Sequence, residues 1–279
     1  MSAAGAAAAS TPANQVQQPA PPGIRNIVLV HGAFADGSCW TDVMTLLQRR
    51  GYHVTAVQNP LTSLADDVAA TQRVLARQPG DVLLVGHSWA GVVITQAGTA
   101  ANVKGLVYLS AIVPDSGESA ADVLTRRGAP MDGMTPDADG LVWLDDSKRY
   151  RAVMAHDVAR EKANMLAAAQ QPIAASAFGQ NVTTAAWRSK PRWYLVTDDD
   201  RALPPAVQRW TAAHIGAMRR TLRSSHMSMV AHPAQVADFI AAAARAQPHL
   251  AAPTAAPGQA RYRSAGAARA SAEAETGQP

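Results

Sequence analysis

The stretch Asp81-Val-Leu-Leu-Val-Gly-His-Ser-Trp-Ala-Gly91 decides how this chain folds. Val82 to Val85 is apolar throughout and bounded by Pro79-Gly80 before it and Gly86 after it, which predicts a strand buried on both faces. Beyond it the period lengthens. Trp89, Val93 and Ala97 fall on one helical face, so a strand becomes a helix between Gly86 and Ala90. Ser88 sits on that turn. So abrupt a change forces its central residue into a strained backbone conformation and leaves space only for small neighbours, which Gly86 and Ala90 supply, while the hydroxyl is pushed outward. Taken alone, Ser88 also reads as an ordinary helix N-cap serine, and the rest of the chain has to decide between the two.

Outward from this stretch the alternation of strand and helix recurs. Ile27-Val-Leu-Val30 predicts another buried strand, running into the loop His31-Gly-Ala-Phe-Ala-Asp-Gly-Ser-Cys-Trp40. The helix after it carries Trp40, Val43, Met44 and Leu47 on one face, is capped by Ser38 and ends at Gly51. His53 to Val57 is the next strand, and Ser63 caps an amphipathic helix with Leu64, Val68 and Leu75 on its inner side. Val103 to Leu109 is a strand on the far side of the central stretch. From Pro114 to Lys190 the alternation stops: Gly128 to Gly140 is turn-rich, and Tyr150 to Gln170 has helical phasing. It resumes with Trp193-Tyr-Leu-Val196, a helix from Pro205 to Ile215, a strand near Arg219 to Leu222 and a last helix after Pro233. About six strands joined by helices predict a doubly wound, mostly parallel α/β sheet, whose ligands bind beyond the carboxyl ends of the strands. The expected organisation is a core at 24–113 and 191–247 with a mainly helical cap inserted at 114–190. The segments 1–23 and 248–279 are expected to be disordered tails, since their Ala, Pro, Gly, Ser and Gln composition cannot bury enough apolar surface to offset the entropy of ordering.

Composition excludes several function classes. With 279 residues, 48% hydrophobic and 16% charged, the chain can bury one sizeable core. Its formal net charge of +4 arises from 21 Arg and 4 Lys scattered without a basic run or aromatic interleaving, which argues against nucleic-acid binding. A single cysteine, Cys39, leaves no intramolecular disulfide and no C-x-x-C metal pattern. No apolar span reaches 18 residues, and Met1 to Gly23 lacks the basic start and Leu-rich core of a secretory signal. The expectation is a soluble, cytoplasmic protein away from membranes, with monomer and homodimer both open.

A serine hydroxyl is a poor nucleophile until a base takes its proton, and the base needs a third group to fix its tautomer. With the serine after an early strand, acid and then histidine are expected after later ones. Thr197-Asp-Asp-Asp200 follows the strand ending at Val196, and Ser224-Ser-His226 follows the strand ending at Leu222. Of the eight histidines, His31, His53, His87 and His156 precede the acid, His214 lies inside a helix and His249 falls in the C-terminal tail. His232 abuts Pro233 at a helix start, which leaves His226 as the better base. Spacing does not separate Asp198, Asp199 and Asp200.

Together, His31-Gly-Ala-Phe, Gly86-His-Ser-Trp-Ala-Gly, the aspartate cluster and Ser225-His226 resemble the α/β-hydrolase superfamily, and within it the small esterase and hydroxynitrile-lyase group. The likeness spans residues 24 to 247 and is weakest in the cap. It implies a cofactor-free serine hydrolase in which Ser88 stands on a nucleophile elbow, G-x-S-x-G in the motif and G-x-S-x-A here, with Gly91 directly behind. It further implies Asp200 as the acid, three residues beyond a strand-end Thr, and an oxyanion hole formed by the backbone N–H groups of Ala33 and Trp89. No metal is implied, and His87 is given a structural role. Receptor-like ligand binders and carbon-carbon lyases share the scaffold. In the lyases a threonine directly after the first-strand histidine and a lysine directly after the catalytic histidine take part, whereas this chain has Gly32 and Met227 there.

Met131, Met134, Trp143, Met154, Met165, Phe178 and Trp187 of the cap are candidates for a soft apolar pocket lining. Phe34 and Met227 are the candidates from the core. The expected substrate is an uncharged, partly apolar small-molecule ester.

Overall fold

A computed structural model describes residues 21–129 and 134–246. Both expected tails therefore lie outside the described residues, apart from residues 21–23. There Pro21 is buried, and the N–H of the adjoining Ile24 donates to the Ala244 carbonyl at 2.9 Å, so the packed body begins slightly earlier than composition suggests.

The first elements alternate as expected: β1 (Asn26–Val30), α1 (Thr41–Arg49), β2 (His53–Val57), α2 (Leu64–Leu75), β3 (Val82–His87), α3 (Ala90–Ala97) and β4 (Val103–Leu109). The intervening segment holds α4 (Ala120–Arg126), β5 (Leu141–Val142), α5 (Ser147–Met154), α6 (Arg160–Ala169) and β6 (Ile173–Ala174). Then come β7 (Arg192–Thr197), α7 (Pro205–His214), β8 (Met218–Leu222), α8 (Ser228–Ala231) and α9 (Pro233–Arg245). Six strands form one parallel sheet in the order β2-β1-β3-β4-β7-β8, while β5 and β6 make a small antiparallel pair.

Strands β1, β3 and β7 are buried at every residue, which is why their central residues, Ile27 to Val30, Val82 to Val85 and Trp193 to Val196, are continuous apolar runs rather than alternating ones. The edge strand β8 instead carries exposed Arg219 and Arg220, charges that blunt an unpaired edge. The chain crosses from β1 to β2 in one direction and from β2 through β3 and β4 in the other. Right-handed crossovers then put α1 on one face of the sheet and α2 and α3 on the other. The packing agrees, since α1 meets α9 and α2 meets α3. Because the connections after β1 and β3 leave to opposite sides, a crevice opens between their carboxyl ends. His31 to Phe34 leave β1 there, and Ser88 leaves β3 beside them, with Val30 paired to Gly86 across the ladder.

Two local expectations are corrected. Ser38 does not cap α1: it lies in a 3₁₀ turn, Gly37–Trp40, whose own cap is Asp36, with the Ser38 N–H donating to Asp36 Oδ1 at 2.6 Å. The helical phase from Tyr150 to Gln170 is broken at 155–159, where the chain turns between α5 and α6 and presents Asp157 to the loop after β8. Ser63 does cap α2, accepting the Asp66 N–H at 3.0 Å.

Candidate active site

Ser88 has φ of 54°, left-handed and costly for a residue with a Cβ, and so stores backbone strain on the turn from β3 to α3. Packing enforces the small neighbours. A Cβ on Gly86 would come within 2.7 Å of the Ala90 carbonyl oxygen, and one on Gly91 would strike the Ile112 carbonyl. Ala90 is tolerated where the motif has glycine because the close approach falls one residue later, at Gly91. Backbone bonds hold the turn from both sides: the Ser88 N–H donates to Leu109 at 3.1 Å, and its carbonyl accepts from Gly91 and Ile112. The N-cap reading is not realised, since Trp89 is the residue before α3 and the Ser88 hydroxyl makes no hydrogen bond within the described residues.

The loops after β7 and β8 bring Asp200 and His226 together, with His226 Nδ1 2.7 Å from Asp200 Oδ2. Both side chains are almost wholly buried. That carboxylate accepts from five donors: Thr197 Oγ1, Gln208 Nε2 and the imidazole at Oδ2, and the backbone N–H groups of Ala202 and Leu203 at Oδ1. Such a cage satisfies both oxygens of a buried carboxyl group and gives it one orientation. With Nδ1–H committed to Asp200, the lone pair of the neutral ring is left on Nε2. The other two aspartates face elsewhere: Asp199 pairs with His156 at 3.2 Å and Asp198 is exposed. His232 lies 3.4 Å from Asp157, away from this pair.

His31 organises the opposite side. Its Nε2 accepts the Asn59 N–H at 2.9 Å, so the ring proton is on Nδ1, which donates to the Gly32 carbonyl at 2.9 Å. Burial holds the ring neutral by lowering its pKa. In a trans peptide the N–H points opposite the carbonyl, so fixing Gly32 C=O also fixes the direction of the Ala33 N–H. Neither that N–H nor the one of Trp89 has a partner among the described residues, although both residues are buried and border the same cavity. Two buried, uncommitted donors of this kind are what a developing oxyanion requires.

The cavity has a volume of about 220 Å³ and is bordered by Ser88 and His226 as well as by those donors. Of the expected lining, Phe34 and Phe178 border it, as do Met134 and Met154. The other candidates sit elsewhere. Trp143 is 44% exposed with its indole on Asp137, and Met165 is 66% exposed on the outer side of α6. Trp187 is buried but donates to the Pro114 carbonyl at 2.9 Å, and Met227 is buried away from the cavity lining with its N–H donating to the Met154 carbonyl. Aromatic and Met residues serve a core as readily as a pocket, so residue type alone did not discriminate. Met131 lies outside the described residues. Among the described residues no cluster of three or more His, Cys, Asp or Glu side chains is placed to hold a metal ion, and no helix is long and apolar enough to cross a membrane.

Several positioning groups are not evident in the sequence. His87 is fully buried, and its Nε2 donates to the His226 carbonyl at 3.0 Å. Burial holds its pKa well below the usual range, and its ring stands 4.6 Å from that of His226. Asp67 accepts the Trp89 indole N–H at 2.7 Å and the Leu61 N–H at 2.8 Å. Tyr150 donates to the carbonyl of Phe34, which has φ of 57°. All three reach across 20 residues or more, and no local pattern signals such a contact; only the Asp after a capped first turn could have marked Asp67 as unusual on an inward helix face.

A parallel sheet covered on both faces, with a strained serine at the crevice and a buried His-Asp pair opposite, defines an α/β hydrolase architecture. The chain belongs to the alpha/beta hydrolase family, whose model matches residues 27–239. It is 29% identical over 245 residues to a pyrethroid hydrolase of Sphingobium wenxiniae, covering 78% of this chain and 87% of that one. It is 25% identical over 247 residues to Methylesterase 1 of Arabidopsis thaliana, covering 77% and 94%. Among solved structures, an extracellular alpha/beta-hydrolase from a Paenibacillus species shares the fold, with a TM-score of 0.70 at 20% identity over 79% of this chain and 99% of that one.

Proposed function

We propose that the protein hydrolyses a small, partly apolar carboxylic ester through an acyl-enzyme on Ser88. Ester hydrolysis in general is what the family and the relatives' names support, for these include a methylesterase and a pyrethroid hydrolase. The observation that carries the finer reading is the convergence of Ser88, the Asp200-paired His226 and two uncommitted N–H groups on one cavity. His226 Nε2 takes the Ser88 proton as Oγ attacks the ester carbonyl, and Asp200 holds the tautomer and stabilises the imidazolium. The Ala33 and Trp89 N–H groups hold the oxyanion. The imidazolium then passes its proton to the departing alkoxide, and water repeats the sequence to release the acid. Ser88 and His226 both border the cavity without a hydrogen bond to each other, and the proton transfer requires that contact to close over the bound ester.

Labelling with a fluorophosphonate probe, followed by stopped-flow hydrolysis of a 4-nitrophenyl ester panel, tests the reading. Stoichiometric labelling of Ser88 and a burst of 4-nitrophenol are expected. Ligand binding with neither label nor burst would instead make the protein a receptor-like binder.

A further inference from the structure

The cavity beside Ser88 is apolar on most sides, with Trp89, Met154 and Phe178 among its walls, and among the described residues no acidic side chain borders it. One formal cation does. Arg201 borders the cavity next to Leu203 and Pro204, and its place there is fixed by the residue before it. Asp200 Oδ1 accepts the N–H groups of both Ala202 and Leu203 at 2.8 Å, folding the turn around Arg201 while the carboxylate itself faces His226. Arg201 has no hydrogen bond, ion pair or ring contact among the described residues. Nor do the two aspartates before Asp200 pair with it: Asp199 pairs with His156, and Asp198 forms no ion pair among the described residues. Arg201 therefore sets one cation, without a partner among the described residues, beside a small and mostly apolar cavity that the oxyanion-donor candidates Ala33 and Trp89 also border.

We propose that Arg201 determines specificity by pairing with a carboxylate carried by the substrate. The preferred ester is then a half-ester of a short dicarboxylic acid, or an ester of similar length with one anionic end, in place of the uncharged ester expected from the apolar composition. The proposal rests on the reading of Ser88 as nucleophile. The ester bond lies over Ser88, the methylene chain contacts the apolar walls, and the carboxylate meets the planar fork of Arg201, which offers two parallel donors. A wholly solvated ion pair would contribute little, but substrate bridging the rim removes water from part of this one.

The test compares mono-4-nitrophenyl glutarate with 4-nitrophenyl pentanoate, which have the same acyl length and leaving group and differ in the terminal charge. In both, the Ser88 Oγ–carbonyl bond forms as the bond to 4-nitrophenolate breaks, and water then releases glutarate or pentanoate. The ratio of kcat/KM, anionic over neutral, is expected to exceed one in the wild type and to fall about tenfold in Arg201→Gln, equivalent to about 1.4 kcal/mol. Arg201→Lys is expected to retain part of it, and about 0.5 M salt to reduce it in the wild type but not in Arg201→Gln. Arg201 is exposed and unpartnered, so these variants should fold, which a thermal melt verifies. A ratio identical in wild type and Arg201→Gln, with the pentanoate hydrolysed, overturns the role of Arg201 and leaves Ser88 in place. If neither ester is hydrolysed and Ser88 takes no fluorophosphonate, both readings fall.

Discussion

The carboxylate of Asp157, in the turn between α5 and α6, accepts the backbone N–H of Ser225 at 2.8 Å, one residue before His226. It also accepts the Ser224 hydroxyl at 3.2 Å and lies 3.4 Å from His232 Nε2. Burial alone would raise its pKa, but the hydrogen bonds from Ser225 and Ser224 and the neighbouring His232 outweigh that and hold the carboxyl below its ordinary range. The inserted segment thus grips the loop that carries His226, the proposed base. Displacing a reacting group by about 1 Å can cost about a hundredfold, so Asp157→Ala is expected to lower kcat about 10- to 100-fold with little change in KM. Asp157→Asn keeps an acceptor for Ser225 and should recover much of the loss. Equal kcat in wild type and Asp157→Ala, measured on the same ester, would mean that the loop is held without this contact.

If Ser88 and His226 act as one unit, removing both costs little more than removing one. Ser88→Ala is expected to lower kcat by on the order of 10⁴ to 10⁶, and adding His226→Ala should change it by less than about tenfold. Asp200→Asn should lose on the order of 10⁴ through the wrong tautomer. Multiplicative losses in the double variant would separate the two residues mechanistically.

The strands and the serine turn were legible because each is a local signal: continuous apolar runs between glycine and proline, then a change of period at Gly86 to Ala90. Thr197-Asp-Asp-Asp200 was legible as a candidate acid stretch, but spacing could not choose among its members. What distinguishes Asp200 is that its two oxygens meet His226, Thr197, Gln208 and the turn at Ala202, contacts made by folding. The pocket was the least legible part. Trp143 and Trp187 have the right chemistry for a wall, yet one faces solvent and the other the Pro114 carbonyl, and only tertiary packing decides that. Arg201 is not legible at all, because a single arginine in a turn ordinarily signals nothing.

Asp67 supplies a pH test of the fold. Burial raises its carboxyl pKa to about 6, against the lowering effect of the hydrogen bonds from Trp89 and Leu61. The ordinary value is about 3.9, so the folded state holds the proton more tightly than the unfolded chain does. The sign follows: this contribution to stability is complete below about pH 4 and is lost as pH rises through about 6. Relative to Asp67→Asn, which cannot titrate, the wild type should lose on the order of 1 to 3 kcal/mol between pH 4 and 7. Urea denaturation of both proteins at the two pH values measures it, and a constant difference would show that Asp67 has no raised pKa.

The last prediction concerns Gly32, which stands where the hydroxynitrile lyases of this superfamily group have threonine. A Cβ at this position would lie 2.8 Å from the His87 carbonyl oxygen and 2.8 Å from Ser88 Cβ. The first is backbone and the second belongs to the strained turn, so neither can yield without moving Ser88. A threonine would add a hydroxyl beside Ala33, whose N–H is the proposed oxyanion donor, and would compete with the ester carbonyl for it. At the other lyase position Met227 is buried and offers no charge to a departing cyanide. The wild type is therefore expected to hydrolyse aryl or short acyl esters and to release no cyanide from mandelonitrile above the uncatalysed background. Gly32→Ala should lower kcat/KM at least about tenfold and stability by about 1 to 3 kcal/mol, the usual range for overpacking. Gly32→Thr should do both more severely without acquiring lyase activity. Enzymatic, Ser88-dependent cyanide release from the wild type in the absence of ester hydrolysis would reverse the assignment.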